Sequence, residues 1–382
     1  MNYKKIKDIC EIKKGKKVFE LEEALDNSIR YIQIDDLRNN NNIKFCSPDS
    51  RYVYVKKDDL IIAWDGANAG TIGFGLEGAI GSTLAKISVL DKDIFAPFLA
   101  LYLQSKFDYF QRTATGATIP HISRAALENL DIPVFGIEKQ KYIYNQMLKT
   151  KELIDKRQSQ ITALDELAKS LFLEMFGDPA KNPSKYPLCK LKNICTKITD
   201  GTHHSPPMVE KGIPYVSAKH LGKGYLDFFS NPAYISKEEH EKIYKRCDPI
   251  NGDVLYIKDG ATTGIAGINY YDFEFSMLSS LALIRPDSEQ LINYYLVHYL
   301  NNDRIKENII SNMSGGAIKR LTIKKITDLS IVVPPIKLQQ EFAEKVKKIN
   351  QQKELLKSNL EEMHNLYGSL LQKAFKGELF QE

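Results

Sequence analysis

One stretch of this chain limits its possible folds more than any other. From Ile137 to Gly177 there is no proline, and no glycine until the last residue, so nothing inside the stretch breaks a helix. Alternating steps of four and three place Ile143, Met147, Thr150, Ile154, Arg157, Ile161, Leu164, Ala168, Leu171 and Met175 on one stripe. This is a heptad seam, mostly apolar, with polar interruptions at Thr150 and Arg157. The helix it predicts is roughly 60 Å long, more than an ordinary globular helix needs. The same steps near the C-terminus give Phe342, Val346, Ile349, Lys353, Leu356, Leu360, Met363, Tyr367, Leu370 and Ala374, each 199 residues after its counterpart. A lone apolar stripe needs a partner. Equal length and matched register favour pairing of the two copies within the chain. Capping of separate domains and dimerisation between chains are the alternatives.

The segments before the two helices repeat as well. Lys5 to Cys10 is echoed by Lys190 to Cys195, and Ile29-Arg30-Tyr31-Ile32 by Ile213-Pro214-Tyr215-Val216. Asp59 to Gly66 is echoed by Asp253 to Gly260, and Thr115 to Ile122 by Ser314 to Leu321. Leu130 to Val134 is echoed by Leu329 to Val333. Four segments follow: a domain at 1–136, a helix at 137–177, a second domain at 178–336 and a second helix at 337–382. Within the first domain the patterning predicts a short amphipathic opening segment, with Ile6, Ile9 and Cys10 on one helical face and Gly15 ending the pattern, and a strand at Tyr31–Ile34. Further strands are expected at Asp59–Trp64 and Leu84–Leu90, one helix around Phe95–Gln111 and an edge strand at Leu130–Val134.

Motifs that carry chemistry are scarce. Gly73-Phe74-Gly75-Leu76-Glu77-Gly78 fits a dinucleotide fingerprint, but strand-like sequence follows it where a helix is required, so it reads as a glycine-rich turn. Asn231-Pro232-Ala233-Tyr234 departs from the N-P-P-Y clamp of amino-methyltransferases at its third residue, and only the tyrosine survives in the first repeat, as Tyr52. It reads as a strand entry. The adjacent His203 and His204 lack a cysteine or third histidine at metal spacing, so no metal is expected. Neither a phosphate-binding lysine loop, a zinc-protease helix nor a serine-nucleophile elbow is present. A binding protein is the expectation, with no catalytic residue and no cofactor of its own.

Composition adds little about partners. A net charge of +5 permits a nucleic-acid partner without singling one out. Five cysteines, an odd number with no C-x-x-C pair, read as reduced thiols of a cytoplasmic protein. The opening MNYKKIKDIC lacks the apolar run of a signal peptide, and no segment approaches membrane-spanning length. Basic residues do recur beside the glycine loops of both halves: Lys14, Lys16 and Lys17 around Gly15, Arg112 and Arg124 around the Thr115 loop, and Lys319, Arg320 and Lys324 after its second copy. Any one of them alone reads as a solvated surface charge, the usual case, and their recurrence in both halves strengthens the case for phosphate contacts.

Three motifs, each followed in order by a helix, resemble the specificity subunit of Type I restriction–modification systems. They are T-G-A-T-I-P-H-I-S at 115–123 before L-D-I-P-V, S-G-G-A-I-K-R-L at 314–321 before L-S-I-V-V-P-P, and T-D-G-T-H-H at 199–204. The helices end in L-F-L-E-M-F-G (171–177) and L-L-Q-K-A-F-K-G (370–377). The resemblance implies an α+β chain of two pseudo-symmetric mixed α/β target recognition domains separated by two long helices that form an antiparallel coiled coil. It implies double-stranded DNA as ligand and two modification (methyltransferase) subunits as partners, with restriction subunits joining them. S-adenosylmethionine is then expected in the modification subunits, which methylate adenine. Dissimilar domains imply an asymmetric, two-part target. The expected DNA-contacting set is Lys14, Lys16, Lys17, Arg112, Thr118, His121, Ser123 and Arg124 in the first half, and Thr202, His203, His204, Lys258, Lys319, Arg320 and Lys324 in the second. The competing readings are a coiled-coil scaffold with no DNA role and a stand-alone methyltransferase, which the missing cofactor motif disfavours.

Overall fold

The computed structural model describes residues 2–116, 118–311 and 321–380. The chain forms two compact units, one of residues 1–158 with 358–382 and one of residues 159–357.

In the first unit, strand Asn2–Lys5 pairs antiparallel with Asp131–Val134. Pro133 therefore sits on a two-stranded edge, where its missing N–H costs no ladder bond. The opening amphipathic pattern yields only one helical turn, Ile6–Ile9, which buries Ile6 and Ile9. From Cys10 the chain is drawn into strand Cys10–Lys14 by antiparallel pairing with Leu84–Val89. The main sheet runs in the order Cys10–Lys14, Leu84–Val89, Leu60–Ala63, Ile72–Phe74. All four residues of Leu60–Ala63 are buried. Leu60 and Ile62 join the core beneath the helices, whereas Ile61 and Ala63 join the core of a second sheet. Two-sided burial explains why this strand reads as a continuous apolar run.

The second sheet, Lys44–Cys46, Ile29–Ile32, Gly78–Ile80 and Val53–Val55, contains one parallel pair, Ile29–Ile32 with Gly78–Ile80. The segment expected as one helix at Phe95–Gln111 forms two, Ala96–Gln104 and Phe107–Thr113. Between them the Ser105 hydroxyl donates back to the Tyr102 carbonyl at 2.6 Å. Such local bonding competes with continued helix.

The second unit repeats the plan. Leu188–Lys190 pairs with Ser330–Val332. The main sheet runs Cys195–Asp200, Leu281–Pro286, Val254–Ile257, Ala266–Ile268, and gains a short parallel strand at Gly224–Tyr225. The second sheet again holds a parallel pair, Ile213–Val216 with Ser276–Met277. Tyr234 opens strand Tyr234–Ile235. This unit also carries the helix Lys237–Tyr244.

The long helices span Ile137–Phe176 and Ile336–Lys376, and each runs through both units. Every seam position is buried or half-buried. In the second unit Lys353 bonds Asp165 at 2.5 Å, while Phe342 lies against Phe172 and Phe176, with ring centroids 5.6 and 5.3 Å apart. The later residues of one helix thus meet the earlier residues of the other, and the pair is antiparallel. In the first unit Ile143 and Met147 share a core with Ala374 and Phe375. Phe172, Phe176 and Phe375 lie off the seam because the helix ends must also cover a domain core.

Candidate nucleic-acid interface

The first domain gathers its candidate residues where two strands of the main sheet end. Strand Cys10–Lys14 stops at Gly15, whose N–H donates to the Leu84 carbonyl at 2.8 Å. A Cβ at Gly15 would collide with the Gly81 carbonyl, so only glycine fits the approach. Strand Leu60–Ala63 continues into Trp64, Asp65 and Gly66. The segment from Thr115 to His121 closes on itself: the Thr115 N–H donates to the His121 carbonyl at 2.9 Å, and the His121 N–H donates to the Thr115 carbonyl at 2.7 Å. Gly116 has φ +98° and a Cβ there would strike the Ile119 carbonyl. The closed segment hangs on the strand end through Gly66 N–H to Pro120 O and Ile122 N–H to Trp64 O, both 2.9 Å.

Three side chains meet there. Lys14 Nζ lies 3.0 Å from Asp65 Oδ2 and 5.9 Å from the centroid of the Trp64 ring. His121 Nδ1 lies 2.6 Å from Asp65 Oδ1. A carboxylate only accepts, so Nδ1 carries the hydrogen and Nε2 is left facing outward. Among the described residues nothing hydrogen-bonds Nε2, and the side chain is 47% exposed.

The other first-half candidates do not share this cluster. Lys16 and Lys17 are exposed, Lys17 with its ammonium 5.4 Å from the Phe19 ring centroid. Exposed Arg112 donates to the Asp108 carbonyl at 3.2 Å, and Thr118 is exposed. The Ser123 hydroxyl accepts from the Ala126 N–H and caps the helix Arg124–Glu128, while Arg124 pairs with Glu128 at 2.7 Å.

In the second domain, the register identifies equivalent positions. Lys14 faces Ala85 as Asp200 faces Ala282, and Ala63 faces Leu84 as Ile257 faces Leu281. Trp64 and Asp65 therefore correspond to Lys258 and Asp259. The lysine changes place: it ends the outer strand in the first domain, where the second has Asp200, and follows the inner strand in the second, where the first has Trp64, while the aspartate at 65 and 259 is kept. Lys258 is buried, with its ammonium 3.0 Å from Asp259 Oδ2 and 3.5 Å from Asp200 Oδ2.

Arg246 adds a bond to Asp200 Oδ1 at 2.9 Å and donates to the Gly201 carbonyl. Exposed His203 places Nε2 3.3 Å from Asp200 Oδ2. Buried Thr202 has its hydroxyl 2.7 Å from Nδ1 of His204, whose Nε2 is 3.1 Å from Glu239. Glu239 is held below the usual carboxylate range by hydrogen bonds from Lys242 and then His204. The Leu321 N–H donates to the Lys258 carbonyl at 3.0 Å, repeating the bond from Ile122 to Trp64. Lys324 is exposed on helix Ile323–Thr327. Lys319 and Arg320 lie outside the described residues.

Sequence reading passed over the groups that organise both clusters: Asp65, Asp200, Asp259, Arg246 and Glu239. Asp65 and Asp259 were visible as matched aspartate–glycine steps at strand ends. Arg246 and Glu239 carry no comparable signal, because they meet their partners only through the fold. Among the described residues no group of three or more histidine, cysteine or acidic side chains is placed to hold a metal ion. No described helix is long and apolar enough to cross a membrane.

With two repeated domains and their matched strand-end loops in view, comparison with known proteins is decisive. The model of the Type I restriction modification DNA specificity domain matches residues 1–163 and again 183–365. The chain belongs to this family. It is a family of specificity subunits, and the family carries no catalysis of its own. The chain is 21% identical to the specificity subunit of Type I restriction enzyme MjaVIII from Methanocaldococcus jannaschii, over 98% of this chain and 92% of that one. It is 22% identical to the EcoBI specificity subunit of Escherichia coli, over 91% and 79%. Among solved structures, the Type I S subunit from M. genitalium matches with a TM-score of 0.56 at 17% identity, covering 98% of this chain and 96% of that one. A chain from a study of complex assembly and conformational transition in the Type I restriction–modification system matches with a TM-score of 0.62 at 19% identity, covering 99% and 98%. At these identities the structures support the shared fold.

Proposed function

We propose that this chain reads DNA for a Type I restriction–modification complex, each domain recognising one part of an asymmetric, two-part target. The observation that carries this is the repeated strand-end platform with different chemistry on it. Lys14, Asp65 and His121 occupy the first domain, and Asp200, Lys258 and the two histidines occupy the second. A shared scaffold with unlike surfaces suits two unlike half-sites, and cationic residues near the loops suit phosphate positioning. The long helices dock two modification subunits, which hold S-adenosylmethionine and methylate adenine, and restriction subunits add cleavage. The work is done on DNA in the cytoplasm.

The test is to express the chain with the modification subunits of its own system and map methylated adenines on a plasmid. A two-part, asymmetric methylated motif that disappears when this chain is omitted is the expected result. Methylation that is independent of the chain would refute the proposal.

A further inference from the structure

The Asp65–His121 pair has a chemical consequence beyond loop closure. An imidazole that donates from Nδ1 to a carboxylate presents, in its neutral form, a lone pair at Nε2. Here that edge is exposed and unpartnered among the described residues. Its ring is anchored by a 2.6 Å bond below and by the reciprocal backbone bonds with Thr115. Lys14 lies on the other carboxylate oxygen at 3.0 Å and offsets the negative charge of Asp65, so the platform does not repel a polyanion. In the second domain the equivalent acid, Asp259, faces the buried Lys258 instead, and the exposed histidines lie on Asp200 and Glu239. The acceptor edge set by Asp65 is thus a feature of the first domain's own surface.

We infer that His121 is a base-reading residue whose Nε2 accepts a hydrogen bond from an exocyclic amino group, adenine N6 or cytosine N4, in the major groove, and that Asp65 is the positioning residue that sets its tautomer. The inference rests on the DNA-reading function proposed above and deepens it. Major-groove amino groups are the donors such an acceptor can select, and a thymine or guanine at that place offers only acceptors on its edge. Phosphate oxygens, which also only accept, are not its partners in this state.

The test uses the full chain assembled with its modification subunits, and duplexes carrying the mapped target or each single-pair variant of the half-site read by residues 1–136. Binding is measured over a series of salt concentrations. His121→Ala is expected to lose discrimination at one base pair by roughly five- to a hundredfold, with affinity for unrelated duplex and the salt slope unchanged. His121→Gln, which keeps an acceptor oxygen, is expected to recover part of that discrimination. Asp65→Asn removes a negative charge but can offer the ring either an oxygen or an amino group. It is expected to lower discrimination at the same base pair while unrelated duplex binds equally or more tightly.

The inference is overturned if His121→Ala weakens all duplexes alike and lowers the salt slope by about 0.9, the mark of a phosphate contact. It is likewise overturned if Asp65→Asn raises affinity for all duplexes equally, since Asp65 is then only a repulsive surface charge. A wild-type assembly that binds target and unrelated duplex equally removes the DNA-reading function itself, and this inference with it.

Discussion

His298 shows how far burial can move a single group in this protein. Its ring lies near those of Phe172 and Phe342, at centroid distances of 6.2 and 5.1 Å. Burial pushes the imidazole down to about 4, against an opposing pull from Asp165. Below pH 6.5 the unfolded chain therefore takes up a proton that the folded chain refuses until about pH 4. Stability is lost as pH falls through that window and is fully retained above it, with a ceiling of about 3 kcal/mol for this one group. His298→Phe, which keeps the aromatic packing, should flatten the dependence of unfolding free energy on pH between 6.5 and 4. Superimposable profiles for the variant and the wild type would show that His298 does not contribute. The same burial logic pushes the Cys10, Cys195 and Cys247 thiols up to about 12, which suits packed rather than reactive cysteines.

At the scale of elements, the two long helices are tied to their domains by one repeated residue. Gln140 is fully buried near the start of the first helix, accepting from the Phe95 N–H at 2.9 Å and donating to the carbonyls of Asp93 and Phe135 at 2.6 and 2.8 Å. Gln339, also fully buried, accepts from Ile292 N–H at 2.9 Å and donates to the carbonyls of Gln290 and Pro334 at 3.2 and 2.8 Å. A carboxamide offers one acceptor and two donors, and each of these glutamines uses all three in the same way. Gln140→Leu keeps the size but strands three backbone groups, a loss of about 3 kcal/mol or more, at roughly 1–3 for each group. Denaturant unfolding followed by hydrogen exchange should place that loss in the unit containing residues 1–158. Unchanged protection there would mean that water replaces the glutamine without cost. Both glutamines obey the 199-residue repeat, yet as polar residues they contribute nothing to an apolar seam.

Considered whole, the molecule is two copies of one plan whose framework is kept and whose exposed chemistry differs. If the domains read DNA independently, replacing residues 178–336 with the matching segment of another family member should change one half of the methylated motif and leave the other intact. Methylation mapping of the chimera checks this. A change in both halves would mean that the domains share their contacts. The swap keeps Gln339 but replaces its three partners, so the incoming segment must supply the N–H and the two carbonyls that Ile292, Gln290 and Pro334 offer here.

Much of this architecture was legible in the sequence because periodicity is a local property. The heptad stripe reports the buried face of both helices, and the apolar run at Leu60–Ala63 reports a strand covered on two sides. The order of echoed motifs reports the duplication. Tertiary structure alone decided where those patterns stop. One helix became two at Ser105, and the opening helical turn gave way to a strand once Cys10–Lys14 found its partner. It also decided the chemistry of the platforms. Lys14 meets Asp65 across 51 positions of sequence, and Arg246 meets Asp200 across 46. Such pairs depend on sheet register and loop closure, which no residue carries by itself. Composition and spacing could therefore point to the loops that matter, but only the folded strands bring an aspartate beneath His121 and turn Lys258 inward between two carboxylates.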